Sequence, residues 1–162
     1  ETLGALLNCS EKASIVVAKL KQIIFENKLK RKLPKPRIYF EEWNEPLITG
    51  VSWVSEIIEL AGGIDIFKSK SKSSKAEGRV VSSKEVITAN PDIIIGSWCG
   101  KKLNSDMIKE RVGWDRINAV SRDYIYEVKS PIILQPGPVA ISHGLSAISD
   151  IIFNWHNFLK ET

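Results

Sequence analysis

The sequence predicts an α/β fold, a three-layer helix/sheet/helix unit around a mainly parallel central sheet, with a long helix ahead of it. Three observations predict it. Short β-branched and aromatic segments, Arg37 to Phe40, Ile93 to Ile95 and Tyr124 to Val128, alternate with stretches of helical apolar spacing. Ile93-Ile94-Ile95 is apolar on both alternating faces, as a strand covered by helices on both sides must be. Finally, 162 residues with 43% apolar and 26% charged content suffice for one core.

Each element has its own local cause. Ala13, Val16, Val17, Leu20, Ile23 and Ile24 recur at three- and four-residue steps and predict a helix from Glu11 to Lys30. Ser10 caps its start, and Pro34 and Pro36 prevent its continuation. Arg37-Ile38-Tyr39-Phe40 reads as a strand that ends in the polar, aromatic loop Glu41-Glu42-Trp43-Asn44-Glu45-Pro46. Val54, Ile57, Ile58 and Leu60 define a helix closed by Gly62-Gly63. Lys68 to Gly78, rich in lysine and serine and without periodicity, reads as a mobile surface loop. Ser82 and Glu85 form a capping box for a short helix ended by Asn90-Pro91. Short helices are expected over Asp106 to Arg111 and Asp115 to Val120, and a loop over Ser130 to Pro138. Ile141, Leu145, Ile148, Ile152, Trp155 and Leu159 mark a long final helix.

Composition limits the functions. No apolar run approaches the roughly 20 residues of a membrane-spanning helix. The net charge of +4 invites a nucleic-acid reading. Yet the lysines concentrate in Lys28 to Lys35 and Lys68 to Lys75 with little aromatic interleaving, the pattern of solvated charge. Cys9 and Cys99 are expected as free thiols. The opening Glu1-Thr2-Leu3-Gly4 reads as cut from something longer, so an upstream signal segment is compatible with it.

In open α/β sheets ligands bind beyond the carboxyl ends of the strands. The loops there are Trp43-Asn44-Glu45-Pro46, Trp98-Cys99-Gly100-Lys101, and Ser130 to Pro138 containing Leu134-Gln135-Pro136-Gly137-Pro138. Tryptophans in polar loops offer flat faces to a large ligand, while the bland reading makes them plugs at the sheet end. Trp53, Trp114 and Trp155 fall on apolar helical faces and read as core. Glu41, Glu42 and Glu45 resemble a catalytic carboxylate group, but adjacent exposed carboxylates read as solvated. A Cys99–His143 nucleophile and base pair lacks a third orienting residue, and His143 and His156 make no metal cluster. Nucleotide-binding glycine motifs are absent from the sequence. What remains is binding without catalysis.

The order and spacing of several blocks carry a resemblance: Trp43-x-Glu45-Pro46-Leu47-Ile48-x-Gly50, Trp53-Val54-x-Glu56-Ile57-Ile58-x-Leu60-Ala61-Gly62-Gly63, Val81-Ser82-x-x-Glu85-Val86, Asn90-Pro91-Asp92-Ile93-Ile94, Ser97-Trp98-Cys99-Gly100-Lys101, Gly113-Trp114 and Ile133-Leu134-Gln135-Pro136-Gly137-Pro138. From Ile38 to Ile152 the chain resembles the C-terminal lobe of class III periplasmic substrate-binding proteins, and within them the cobalamin-binding branch. The resemblance implies two lobes joined by one long helix, with residues 1–36 as that interlobe region and 37–162 as the C-terminal lobe. It implies the substrate-binding component of an ABC-type importer, outside the cytoplasmic membrane, with cobalamin or another corrinoid as transported ligand and no required cofactor. A ferric siderophore or haem is the alternative ligand. Trp43, Glu45, Pro46, Trp98, Cys99, Lys101, Gln135 and Pro136 are the implied ligand contacts. Permease subunits and an N-terminal lobe are the implied partners; nucleic acid is not, and a lone lobe with an open cleft face could pair with a second copy. The family's permease-docking glutamate has no counterpart around Leu134 and Gln135.

Overall fold

The computed structural model describes residues 1–29 and 33–161. Two helices lead, α1 (Thr2–Leu6) and α2 (Ser10–Leu29). The predicted end of α2 at Lys30 and the centre of the first lysine run lie outside the described residues. Then follow β1 (Arg37–Asn44), β2 (Leu47–Thr49), α3 (Ser52–Ala61), β3 (Ile64–Asp65), α4 (Lys68–Ser71), α5 (Ser83–Ala89), β4 (Ile93–Gly96), α6 (Ser105–Lys109), α7 (Asn118–Ser121), β5 (Ile125–Glu127), α8 (Ser130–Ile133) and α9 (Leu145–Glu161). Two 3₁₀ turns, Ala76–Arg79 and Trp114–Arg116, and a π turn, Ala140–Gly144, complete the path.

The sheet has five strands in the order β2-β1-β4-β5, with β3 pairing the start of β1. Only the β1–β2 pair is antiparallel; β1 runs parallel to β3 and β4, and β4 to β5. Side chains alternate across a strand, so residue parity sorts the core into two clusters. Ile38, Phe40, Ile93 and Ile95 face α3 and α9, where they meet Val54, Ile58, Ile148 and Ile152. Tyr39 and Ile94 face the other way, against Phe67, Val86, Ile108, Trp114 and Ile117. This is the three-layer arrangement that the apolar Ile93-Ile94-Ile95 run requires. Trp114 and Trp155 are core, as expected, and Trp53 is half-buried with its indole N–H donating to the Ile133 carbonyl at 2.9 Å.

Three local expectations are corrected. β1 does not stop at Phe40: it runs on through a bulge between Glu41 and Trp43 and turns at Glu45-Pro46 into β2, so the expected loop is a β-hairpin. The strand continues because the polar residues at its end find partners, described below. Lys68 to Gly78 is not a mobile loop. It contains α4 and most of a 3₁₀ turn, and it is pinned by Lys70 Nζ donating to the Val80 carbonyl and by Arg79, which is buried. Arg79 donates to both oxygens of Glu42 and to the Thr49 carbonyl, tying that segment to the hairpin. Ser130 to Pro138, expected as a loop, begins as α8 with Pro131 in its first turn.

The capping box at α5 forms as predicted: Ser82 Oγ accepts from the Glu85 N–H, and the Glu85 carboxylate accepts from the Ser82 N–H at 2.7 Å. The Ser82 backbone N–H first, then its hydroxyl and Lys70, hold the Glu85 carboxyl down at about 2. A group whose folded value lies below its unfolded one adds stability above the ordinary carboxylate range, lost as pH falls through the folded value. Urea unfolding between about pH 5 and pH 2 is thus expected to show a decline in stability that is shallower in Glu85→Gln. Ser82→Ala is expected to cost about 1 kcal/mol at neutral pH. Identical pH profiles for the wild type and Glu85→Gln would contradict this assignment.

Candidate functional site

The carboxyl ends of β1, β4 and β5 lie side by side, in register from Glu41 to Gly96 to Glu127. Beneath that edge Glu41 is fully buried. Its carboxylate accepts from both terminal nitrogens of Arg111, at 2.6 and 2.9 Å, and from the Trp98 indole N–H at 2.9 Å. Arg111 also stacks over the Trp114 ring, 4.4 Å from its centroid. Bidentate pairing plus an indole donor answers the desolvation that a buried carboxylate would otherwise suffer. Tyr39 packs below; burial, and then the Glu41 charge, push its hydroxyl well above its usual value, so it stays neutral. Glu42, one residue on, points to the hairpin side and meets Arg79. Two of the three carboxylates read as solvated, Glu41 and Glu42, are each held by an arginine, while Glu45 is exposed.

This network fixes the β4–α6 connection. The Ser97 N–H donates to the Glu41 carbonyl at 2.8 Å, and Trp98 is anchored through its indole. A Cβ at Gly96 would displace the Leu103 side chain, which folds over the strand end. Gly100 has φ +71°, the left-handed conformation that glycine adopts without strain. Glu127 Oε1 accepts from the Leu103 N–H at 3.0 Å and closes the loop onto β5. Above it opens a cavity of about 460 Å³ lined by Gly100, Lys101, Lys102, Glu127, Lys129, Ser130 and Pro131. Lys101 Nζ lies 4.7 Å from the centroid of the Trp43 ring.

The eight expected ligand contacts separate into groups. Lys101 lines the cavity, exposed Cys99 precedes it by two residues, and Trp43 meets it through the Lys101 ammonium. Trp43 is half-buried and donates its indole N–H to the Glu45 carbonyl at 2.8 Å, a bond that shapes the turn; Glu45 and Pro46 are exposed at the tip. Trp98 does not offer a ring to the cleft: it is 3% exposed and belongs to the core cluster, because its indole is the third donor to Glu41. Gln135 is exposed, and Pro136 lines a different cavity of about 440 Å³, with Ile24, Trp53, Ile57, Ala140 and Ile141. Sequence reasoning did not single out Lys102, Glu127 and Lys129, while Ser130 and Pro131 begin the expected carboxyl-end loop Ser130 to Pro138. The signal was present: Glu127 ends β5, and Lys129 and Ser130 follow within three residues, where the carboxyl-end rule directs attention.

The chain belongs to the periplasmic binding protein family, whose model matches residues 1–132. Among solved structures it is similar to a possible iron-binding (periplasmic solute-binding) protein from Staphylococcus epidermidis, with 27% identity, TM-score 0.80, and coverage of 94% of this chain and 59% of that one. IsdE from S. aureus, solved with haem, aligns over 94% of this chain and 61% of its own at 16% identity and TM-score 0.74. An ABC-type Fe³⁺-hydroxamate transport system protein from Saccharomonospora viridis aligns over 93% and 52% at 20% identity and TM-score 0.71. The last two likenesses show the fold alone. The chain therefore spans 52–61% of the length of these three proteins. None of the curated proteins matches it. Among the described residues no helix is long and apolar enough to cross a membrane.

Removing the arginine tests the buried network. Arg111→Ala leaves the buried Glu41 carboxyl without its cation at the sheet end and is expected to lower the unfolding free energy by about 3–5 kcal/mol. Exposed Arg116→Ala is expected to change it by less than about 0.5 kcal/mol. Urea denaturation reads both, and equal values for the two variants would contradict the role assigned to Arg111.

Proposed function

We propose that this chain is the C-terminal lobe of the substrate-binding component of an ABC-type importer, acting outside the cytoplasmic membrane, and that its ligand is an iron chelate, either a ferric siderophore or haem. The observation that carries the reading is the cavity over the carboxyl ends of β4 and β5, formed on a rigid base by the Glu41–Arg111–Trp98 network. A pre-formed site loses little ordering entropy on binding, which suits capture of a scarce solute. In this reading residues 1–36 form the interlobe helix region, residues 37–162 the lobe, and a preceding lobe outside this sequence supplies the opposite wall of the cleft. The names of the similar proteins, iron-binding, haem-complexed and Fe³⁺-hydroxamate transport, support an iron chelate.

A corrinoid is the second reading, favoured by Trp43 with Glu45 and Pro46 at the hairpin tip. It loses one support in Trp98, whose ring is buried. Lys101 and Cys99 serve either ligand; Gln135 and Pro136 would contact one that reaches past α8.

Isothermal titration of a ferric siderophore, haem and cyanocobalamin into the two-lobed protein, with this chain in parallel, tests the proposal. An iron chelate is expected to bind the two-lobed form, and this chain alone to bind it weaker by about two orders of magnitude or more, because half of the contacts are gone. Binding of cyanocobalamin alone would transfer the assignment to the corrinoid reading. Silence from all three would overturn solute capture at this cleft.

A further inference from the structure

The charges at the cavity are unbalanced. Lys101, Lys102 and Lys129 all line it, and none of the three forms an ion pair among the described residues. Other lysines are either paired, as Lys68 is with Glu59, Lys70 with Glu85 and Lys109 with Asp123, or, like Lys72 and Lys84, stand without an ion pair among the described residues; what sets Lys101, Lys102 and Lys129 apart is that all three line one cavity with a single carboxylate. The one carboxylate in the cavity lining, Glu127, accepts the Leu103 N–H through Oε1 and so serves the loop. Lys101 rests over Trp43, a contact with a neutral ring that leaves its charge uncompensated. Three ammonium groups against one engaged carboxylate repel one another, and a ligand carrying negative charge relieves that repulsion as it binds.

We infer that these lysines select an iron chelate of net negative charge and hold its anionic oxygens, with Lys101, Lys102 and Lys129 as the specificity-determining residues of this lobe. The inference rests on the reading of the cavity as the ligand site and names the ligand class within it. An ammonium is a compact charge with three donors that turn freely, suited to the several outward oxygens of a catecholate or hydroxycarboxylate complex, whereas arginine would fix one planar carboxylate. A neutral hydroxamate complex or a corrinoid gains nothing from three cations at the wall. On binding, Lys101 leaves the Trp43 ring for a ligand oxygen, and the indole then faces the cleft uncovered.

Titrating the two-lobed protein with a trianionic ferric tris-catecholate complex and with a neutral ferric tris-hydroxamate complex, at low and high salt, tests the inference. The anionic complex is expected to bind more than tenfold tighter and to weaken as salt rises. Lys101→Gln, Lys102→Gln and Lys129→Gln are each expected to cost about tenfold in affinity for it, and the triple variant far more, with the neutral complex little affected. Exposed Lys75→Gln is expected to change neither. Equal or tighter binding of the neutral complex, or a triple variant that keeps its affinity for the tris-catecholate, would overturn the charge selection and leave the iron-chelate reading standing. Failure of both complexes and of haem to bind overturns the two together.

Discussion

A carboxylate with no solvent exposure at the end of a central strand has to be met by a cation and by further donors, or it destabilises the fold by several kcal/mol. Glu41 is met by both terminal nitrogens of Arg111 and by the Trp98 indole. The consequence extends beyond stability. Arg111 follows α6, Trp98 follows β4 and Glu41 lies on β1, so one set of bonds locks three segments at the edge where the cavity opens. The loop that presents Lys101 is therefore placed by the core, and the exposed groups inherit their positions from buried ones.

The same logic explains the hairpin beside it. Glu42 would be expelled from a strand edge if it had to reach water, but Arg79 reaches across from the lysine-rich segment and binds it with both terminal nitrogens. The bulge in β1 lets consecutive glutamates each find an arginine. The hairpin then carries Trp43 to within cation–π distance of Lys101. Two ion pairs thus link the charged stretch Lys68 to Arg79, the β1–β2 hairpin and the cavity wall into one rigid edge.

Local signals were legible where local physics decides the outcome. The capping box at Ser82, the periodic α9, the closure of α3 at Gly62 and the doubly buried β4 follow from neighbours within a few residues. The apolar run Ile93-Ile94-Ile95 was enough to imply two core faces. What sequence alone could not show depends on partners 37 and 70 residues away: Arg79 with Glu42 and Arg111 with Glu41. Without those pairs in view, adjacent glutamates look solvated, a strand looks finished at Phe40, and Lys68 to Gly78 looks like a loose loop. Trp98 was expected to face a ligand, but its ring packs inward because the acceptor that draws its indole is Glu41. Lys101 was among the expected contacts, but Lys102 and Lys129 were not, since only the fold brings Lys129 to the cavity that Lys101 and Lys102 line.

The claim that the carboxyl edge of the sheet is the binding surface can be put to one test: anomalous diffraction at the iron edge from crystals of the two-lobed protein grown with a ferric catecholate. The expected result is an iron peak above the ends of β4 and β5, with chelate oxygens at hydrogen-bonding distance from lysines at the cavity wall and the Arg111–Glu41 pair intact. An iron peak over the Trp53 and Pro136 cavity, or at the opposite edge of the sheet, would contradict it.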